Sequence, residues 1–152
     1  MMLTDGDVFI RLTLSILLSG CIGLERQFHR RSAGLRTHIM VSLGSCLIML
    51  TSLFVFDIYK DIAPVDPSRI AAGIITGIGF LGAGAIIRDK EGIRGLTTAA
   101  SLWVVAGIGL AVGCGFYSAG VMSAFLALIV LLVLRRVDGM IIGKEETKKS
   151  EN

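Results

Sequence analysis

From Gly95 to Leu134 the chain runs 40 residues without a charged side chain. No other feature constrains the fold as tightly. A helix crosses the hydrocarbon core of a bilayer in about 20 residues, so this run is long enough for two crossings. Glycine and an interfacial aromatic pair break it at Gly113-Cys114-Gly115-Phe116-Tyr117-Ser118, where a tight turn between antiparallel helices is expected. The reading is two spans, 95–113 and 117–135.

Composition extends the conclusion to the rest of the chain. With 152 residues, 53% hydrophobic and 18% charged, and a mean hydropathy of +0.77, it is too apolar for an ordinary soluble domain. Three more spans fit at 8–25, 37–56 and 69–88. The first is charge-free only from Leu12 to Leu24, so Arg11 must snorkel to a surface or pair inside the bundle. Ser15, Ser19 and Gly23 recur at intervals of four along it, a small-residue stripe suited to close helix contact. The opening MMLTDGDVF has two aspartates and no basic stretch, so this segment is expected to stay as a span and not to be cleaved. The expectation is an all-α bundle of five transmembrane helices in residues 1–137, followed by a short polar cytoplasmic tail at 138–152.

Lysine and arginine placement orients the bundle. One side collects 12 of them, from Arg26 to Arg36, Arg88 to Arg94 and Arg135 to Lys149; the other has Arg11, Lys60 and Arg69. The positive-inside rule then puts the N-terminus outside and the C-terminus in the cytoplasm. A weak internal echo accompanies this arrangement. Spans one and three each open at an arginine, and the helices after them begin Gly34-Leu35-Arg36-Thr37 and Gly95-Leu96-Thr97-Thr98. Such a pairing fits a parallel repeat.

Span three carries Gly73, Gly77, Gly79, Gly82 and Gly84. Glycine costs about 1 kcal/mol per helix-interior position relative to alanine, a load that close backbone packing between membrane helices can offset. Gly77-Ile78-Gly79-Phe80-Leu81-Gly82 also matches the dinucleotide fingerprint G-x-G-x-x-G. The match is rejected, because the fingerprint needs a preceding strand and an acid about 20 residues on, and Leu102 stands there. Packing is the better reading. Gly73, Gly77 and Gly84 fall near one face with Thr76 and Phe80 beside them, Gly79 and Gly82 notch an adjoining face, and Trp103 on span four completes the candidate interface positions. A helix notched on two faces is expected to sit centrally.

The polar residues form two belts. Outside lie Arg11, Asp66 and Arg69, with Asp66 expected to cap the third helix ahead of Pro67. Inside lie Glu25, Arg26, Arg36, Thr37, His38, Arg88, Arg94, Thr97, Thr98 and Ser101. Glu25 is the sole acid at the end of span one and needs a partner there, such as Arg36 or Arg94. No acid falls within a span interior, no catalytic dyad or triad is present, and Cys21, Cys46 and Cys114 stand singly without metal-ligand spacing. The expectation is a non-enzymatic protein with no cofactor, no metal site and no nucleic-acid partner.

Several ordered segments resemble the MgtC/SapB family of bacterial inner-membrane proteins. They are Gly23-Leu24-Glu25-Arg26, Gly34-Leu35-Arg36-Thr37-His38, Asp66-Pro67-Ser68-Arg69-Ile70-Ala71-Ala72, Gly77 to Gly84, and Arg94-Gly95-Leu96-Thr97-Thr98-Ala99-Ala100-Ser101-Leu102-Trp103. The resemblance covers roughly residues 8–135. It implies a multi-pass protein of the bacterial inner membrane, associated with growth at low magnesium and, in pathogens, with survival inside macrophages. It also implies regulation of another membrane protein, such as the proton-driven ATP synthase, with the bilayer and a homo-oligomer as further partners. Many relatives carry an additional soluble domain, so the present sequence is expected to be the membrane domain alone. Gly73 stands where many relatives have glutamine, and Thr97 where some have asparagine. The leading expectation is a regulator acting through glycine-rich helix faces; the alternative is a transporter or channel for a small ion such as magnesium.

Overall fold

The computed structural model describes residues 3–90 and 92–150, with side-chain surroundings as far as Arg136. Five helices span the described residues: α1 Asp5–Phe28, α2 Leu35–Tyr59, α3 Ser68–Ala85, α4 Leu96–Cys114 and α5 Tyr117–Ser150. Each contains a stretch long and apolar enough to cross a membrane, and in α5 that stretch is Tyr117–Arg136. The chain is therefore a multi-pass membrane protein. Its outer surface agrees, since Phe9, Leu17, Phe54, Phe80, Phe125 and Leu132 are all at least half exposed, an arrangement that lipid tolerates and water does not.

The helices start where local chemistry satisfies their free N–H groups. Thr4 caps α1 through a reciprocal pair: its hydroxyl accepts from the Asp7 N–H at 3.2 Å, and the Asp7 carboxylate accepts from the Thr4 N–H at 3.0 Å. At α3 the Asp66 carboxylate accepts from the Ser68 N–H at 2.8 Å and the Ser68 hydroxyl at 2.7 Å. The expected capping role is thus present, with Pro67 already helical at φ −67°, ψ −17°. Gly34 and Gly95 occupy the positions just before α2 and α4, Gly34 extended at φ −109° and Gly95 left-handed at φ +91°. The linkers differ: a short turn joins α1 to α2, whereas α3 and α4 are joined by a β-hairpin.

That hairpin corrects the expectation of a plain charged loop and of a third span reaching residue 88. Helix α3 ends at Ala85, and β1 (Ile87–Asp89) pairs antiparallel with β2 (Gly92–Arg94), placing Ile87 opposite Arg94. Gly95 makes the return possible. It sits at φ +91°, and a Cβ there would lie 2.0 Å from the Ala85 carbonyl oxygen; only glycine fits.

Helix α4 is the centre of the bundle. It packs against α1, α2, α3 and α5, while α3 packs on α2 and α4 at the periphery. This reverses the expectation that the glycine-rich third span would be central. The contact that decides it is between α2 and α4. A Cβ on Gly109 would lie 2.1 Å from the Ser42 carbonyl oxygen, and one on Gly113 2.8 Å from that of Cys46. Ser42 in turn donates to the Ser15 carbonyl on α1 at 3.3 Å. Small residues thus bring three backbones together, and Ile22, Cys46, Leu50, Val105, Ile108 and Val112 fill the space around that seam.

Candidate functional site

The core holds many polar side chains. Ser15, Ser19, His38, Ser42 and Ser52 are essentially inaccessible, and Glu25, Arg26, Thr98 and Ser101 are buried beside or below them. Much of this is self-satisfied. Ser19 donates to the Ser15 carbonyl one turn back at 2.6 Å, and Ser52 donates to the Pro67 carbonyl. The remainder gathers at the arginine-rich end, where α1, α2 and α4 meet.

His38 is the pivot of that cluster. Its Nδ1 lies 2.9 Å from the Gly34 carbonyl and therefore carries a proton, while Nε2 lies 3.0 Å from the Ser101 hydroxyl. The Ser101 oxygen is also 2.8 Å from the Thr98 carbonyl. One hydroxyl proton cannot serve both. With a neutral ring Ser101 donates to Nε2; with a charged ring Nε2 donates to Ser101, whose proton turns to Thr98. The two arrangements differ by one proton, which the ring takes up from outside the pair.

Arg26 extends the network. Its Nη2 donates to the Thr98 hydroxyl at 3.2 Å, and Nη1 stands 3.9 Å from Glu25 Oε2. Glu25 Oε1 pairs with His29 Nδ1 at 2.8 Å, one turn along the same helix. The expected partners Arg36 and Arg94 are therefore replaced. Arg36 is exposed at the start of α2, and Arg94 sits in β2 with Asp89 at 3.9 Å. The physical reason is local: residues four apart on α1 meet without any tertiary contact. Among the described residues, Glu25 Oε2 and Arg26 Nε are buried without a hydrogen-bond partner.

The structure thus brings together Glu25, Arg26, His38, Thr98 and Ser101 of the sequence-derived inner belt. Thr97 is exposed next to them and lines a recess with Glu25 and Arg26. Thr37 is also exposed and shares a different recess, of about 370 Å³, with Phe80, Gly84 and Leu102. Asp66 and Arg69 stand in the open at the start of α3; the two hydrogen bonds from Ser68 hold the Asp66 carboxyl below its ordinary value of 3.8. Arg11, at that same end of the bundle, pairs inside it. Its Nη1 donates to the Gly113 carbonyl at 2.7 Å and its Nε to the Tyr117 hydroxyl at 3.2 Å, so a cation closes the C-terminal end of α4.

The glycine candidates behave differently from one another. A Cβ on Gly82 would touch the Ala99 side chain at 3.8 Å, whereas Cβ atoms on Gly73, Gly77, Gly79 and Gly84 would meet nothing within 4 Å. Phe80 is 82% exposed on the same helix, and Trp103 is 53% exposed. The close contacts inside the bundle are made by Gly23, Gly109 and Gly113 instead. Among the described residues no three His, Cys, Asp or Glu side chains cluster in a way that could hold a metal ion.

Comparison with known proteins fits this geometry. The pattern of the MgtC family matches residues 12–140. The chain belongs to the MgtC family. It is 43% identical over 141 residues to a protein of Escherichia coli strain K12 described as a putative magnesium transporter, YhiD, a match covering 91% of this chain and 66% of that protein. It is 39% identical over 144 residues to MgtC of Salmonella typhimurium strain LT2, covering 92% and 59% respectively. An uncharacterized protein of Haemophilus influenzae is 38% identical over 138 residues. The chain spans about 56 to 66% of the length of these MgtC-family relatives. No solved structure matches it.

Proposed function

We propose that this MgtC-family chain is a non-enzymatic protein of the bacterial inner membrane that supports growth under magnesium limitation by docking on another membrane protein. The docking surface is the exposed face of α3. The observation that carries this reading is the open space around Gly73, Gly77 and Gly84, which share one face of the helix. Glycines in a helix interior are costly, and a Cβ added at any of these three would meet nothing within 4 Å in the chain's own fold. A partner helix approaching that face would recover the cost through backbone-level packing. The proton-driven ATP synthase, implied by the family resemblance, is a partner class of this kind, and a second copy of the chain is another. By the charge distribution the arginine-rich end faces the cytoplasm. A role in survival inside host cells follows from the same resemblance.

Gly77→Leu tests the surface, because a Cβ at this position meets nothing within 4 Å in the chain's own fold. Growth at limiting magnesium is expected to fall to that of cells lacking the chain, with unchanged amounts of inserted protein. Wild-type growth would remove the surface from the account.

A second reading has one observation in its favour. The buried polar residues Glu25, Arg26, Thr98, Ser101, His38, Ser42 and Ser15 lead inward between α1, α2 and α4, as a path for a small ion would. Purified chain in liposomes discriminates the two. Magnesium flux that His38→Ala abolishes would favour transport; no flux above protein-free vesicles favours docking.

A further inference from the structure

At the arginine-rich end a recess of about 190 Å³ lies between α1, α4 and α5, bounded by Glu25, Arg26, Arg31, Thr97 and Arg135. Among the described residues three guanidinium groups line the recess with a single carboxylate, a net charge of about +2 that favours an anion. Arg31 and Arg135 are exposed. Glu25 and Arg26 are 7% and 4% exposed, and each keeps one buried polar atom, Oε2 and Nε, without a hydrogen-bond partner. An unpaired buried polar atom is costly, so a small side-chain movement toward an incoming polar group would be favourable at both. Oε2 requires a donor and Nε an acceptor.

The recess does not end in protein. It shares Thr97, Val130 and Leu131 with a second, apolar groove of about 400 Å³ between α4 and α5, lined further by Ala100, Val104 and Leu126. Leu126 and Val130, one turn apart on α5 and both lining the groove, are more than half exposed, so the groove opens sideways to lipid. A charged pocket continuous with an apolar groove along the membrane-facing wall has the shape of one molecule class. We infer that it holds an anionic glycerophospholipid. The phosphodiester oxygens accept from Arg31, Arg135 and Arg26 Nε, a headgroup hydroxyl donates to Glu25, and an acyl chain lies between α4 and α5. Basic pockets between membrane helices take lipid headgroups in this way. A free phosphate would use the arginines and leave the groove idle.

Native mass spectrometry of the full chain in detergent, titrated with phosphatidylglycerol, tests the assignment. The wild type is expected to retain one phosphatidylglycerol, and to bind phosphatidylcholine at least about tenfold more weakly, since choline lipids have no net charge and no headgroup donor. The Arg31→Gln/Arg135→Gln variant, which loses no hydrogen bond of the described fold, is expected to weaken binding by about tenfold or more. Arg36→Gln, at the same end but outside the recess, should leave it unchanged. Equal weakening by Arg36→Gln would reduce the effect to general surface charge, and displacement of the lipid by excess inorganic phosphate would assign the recess to a soluble anion. Either result, or undiminished binding by the double variant, overturns the inference. None of them bears on the α3 docking surface.

Discussion

Gly109 and His38 illustrate how two residue types carry this fold. Gly109 lets the α2 backbone touch α4, and its obstacle is a carbonyl oxygen that cannot step aside. Overpacking a core costs about 1–3 kcal/mol where side chains can shift, so Gly109→Val should cost at least that and lower the thermal midpoint of the purified chain; an unchanged midpoint would show that the two backbones are not in contact. His38→Ala removes the partner of Ser101 and leaves the Gly34 carbonyl without its second bond. A loss of about 1–3 kcal/mol is expected, measured as reduced resistance to denaturant in detergent. His38 and Ser101 were both recognisable in the sequence as members of a polar belt. Their pairing was not, because it depends on α2 and α4 lying side by side, and nothing within either helix records that neighbour. Glu25 shows the converse: its partner His29 was one helical turn away, nearer than the distant arginines that topology suggested.

At the scale of elements, the five spans were legible because each is an unbroken apolar run of bilayer length bounded by charges or turn residues. The hairpin between α3 and α4 was not. Its strands are three residues each, too short for alternation to register against the charged residues around them. The start of α3 offers a pH test. Asp66 has its carboxyl held below 3.8 by the bonds from Ser68, so its contribution to the helix start is complete above the ordinary value and is lost as pH falls through the lowered one. The Ser68 amide resonance should therefore titrate with a midpoint below 3.8, and Asp66→Asn should abolish the titration. A midpoint at or above the ordinary value would mean that the cap is not formed. Gly95→Ala should have a larger consequence. With its Cβ driven onto the Ala85 carbonyl, the hairpin must open, and protease cleavage between residues 86 and 95 should accelerate in inserted protein; an unchanged rate would contradict the tight return.

For the whole molecule, the glycines of span three suggested a central helix, whereas α3 packs on α2 and α4 at the edge of the bundle. A glycine notch has the same sequence signature whether its occupant comes from the same chain or from another. Only the arrangement of the bundle separates the cases: Gly109 and Gly113 are filled by α2, while Gly73, Gly77, Gly79 and Gly84 are open. The central claim is that this open face is where the protein does its work. The most direct measurement is growth at limiting magnesium of cells whose growth there depends on this chain, comparing wild type with Gly77→Leu at matched levels of membrane-inserted protein. The account predicts that the variant inserts normally and grows no better than cells without the chain. Growth equal to wild type would contradict it.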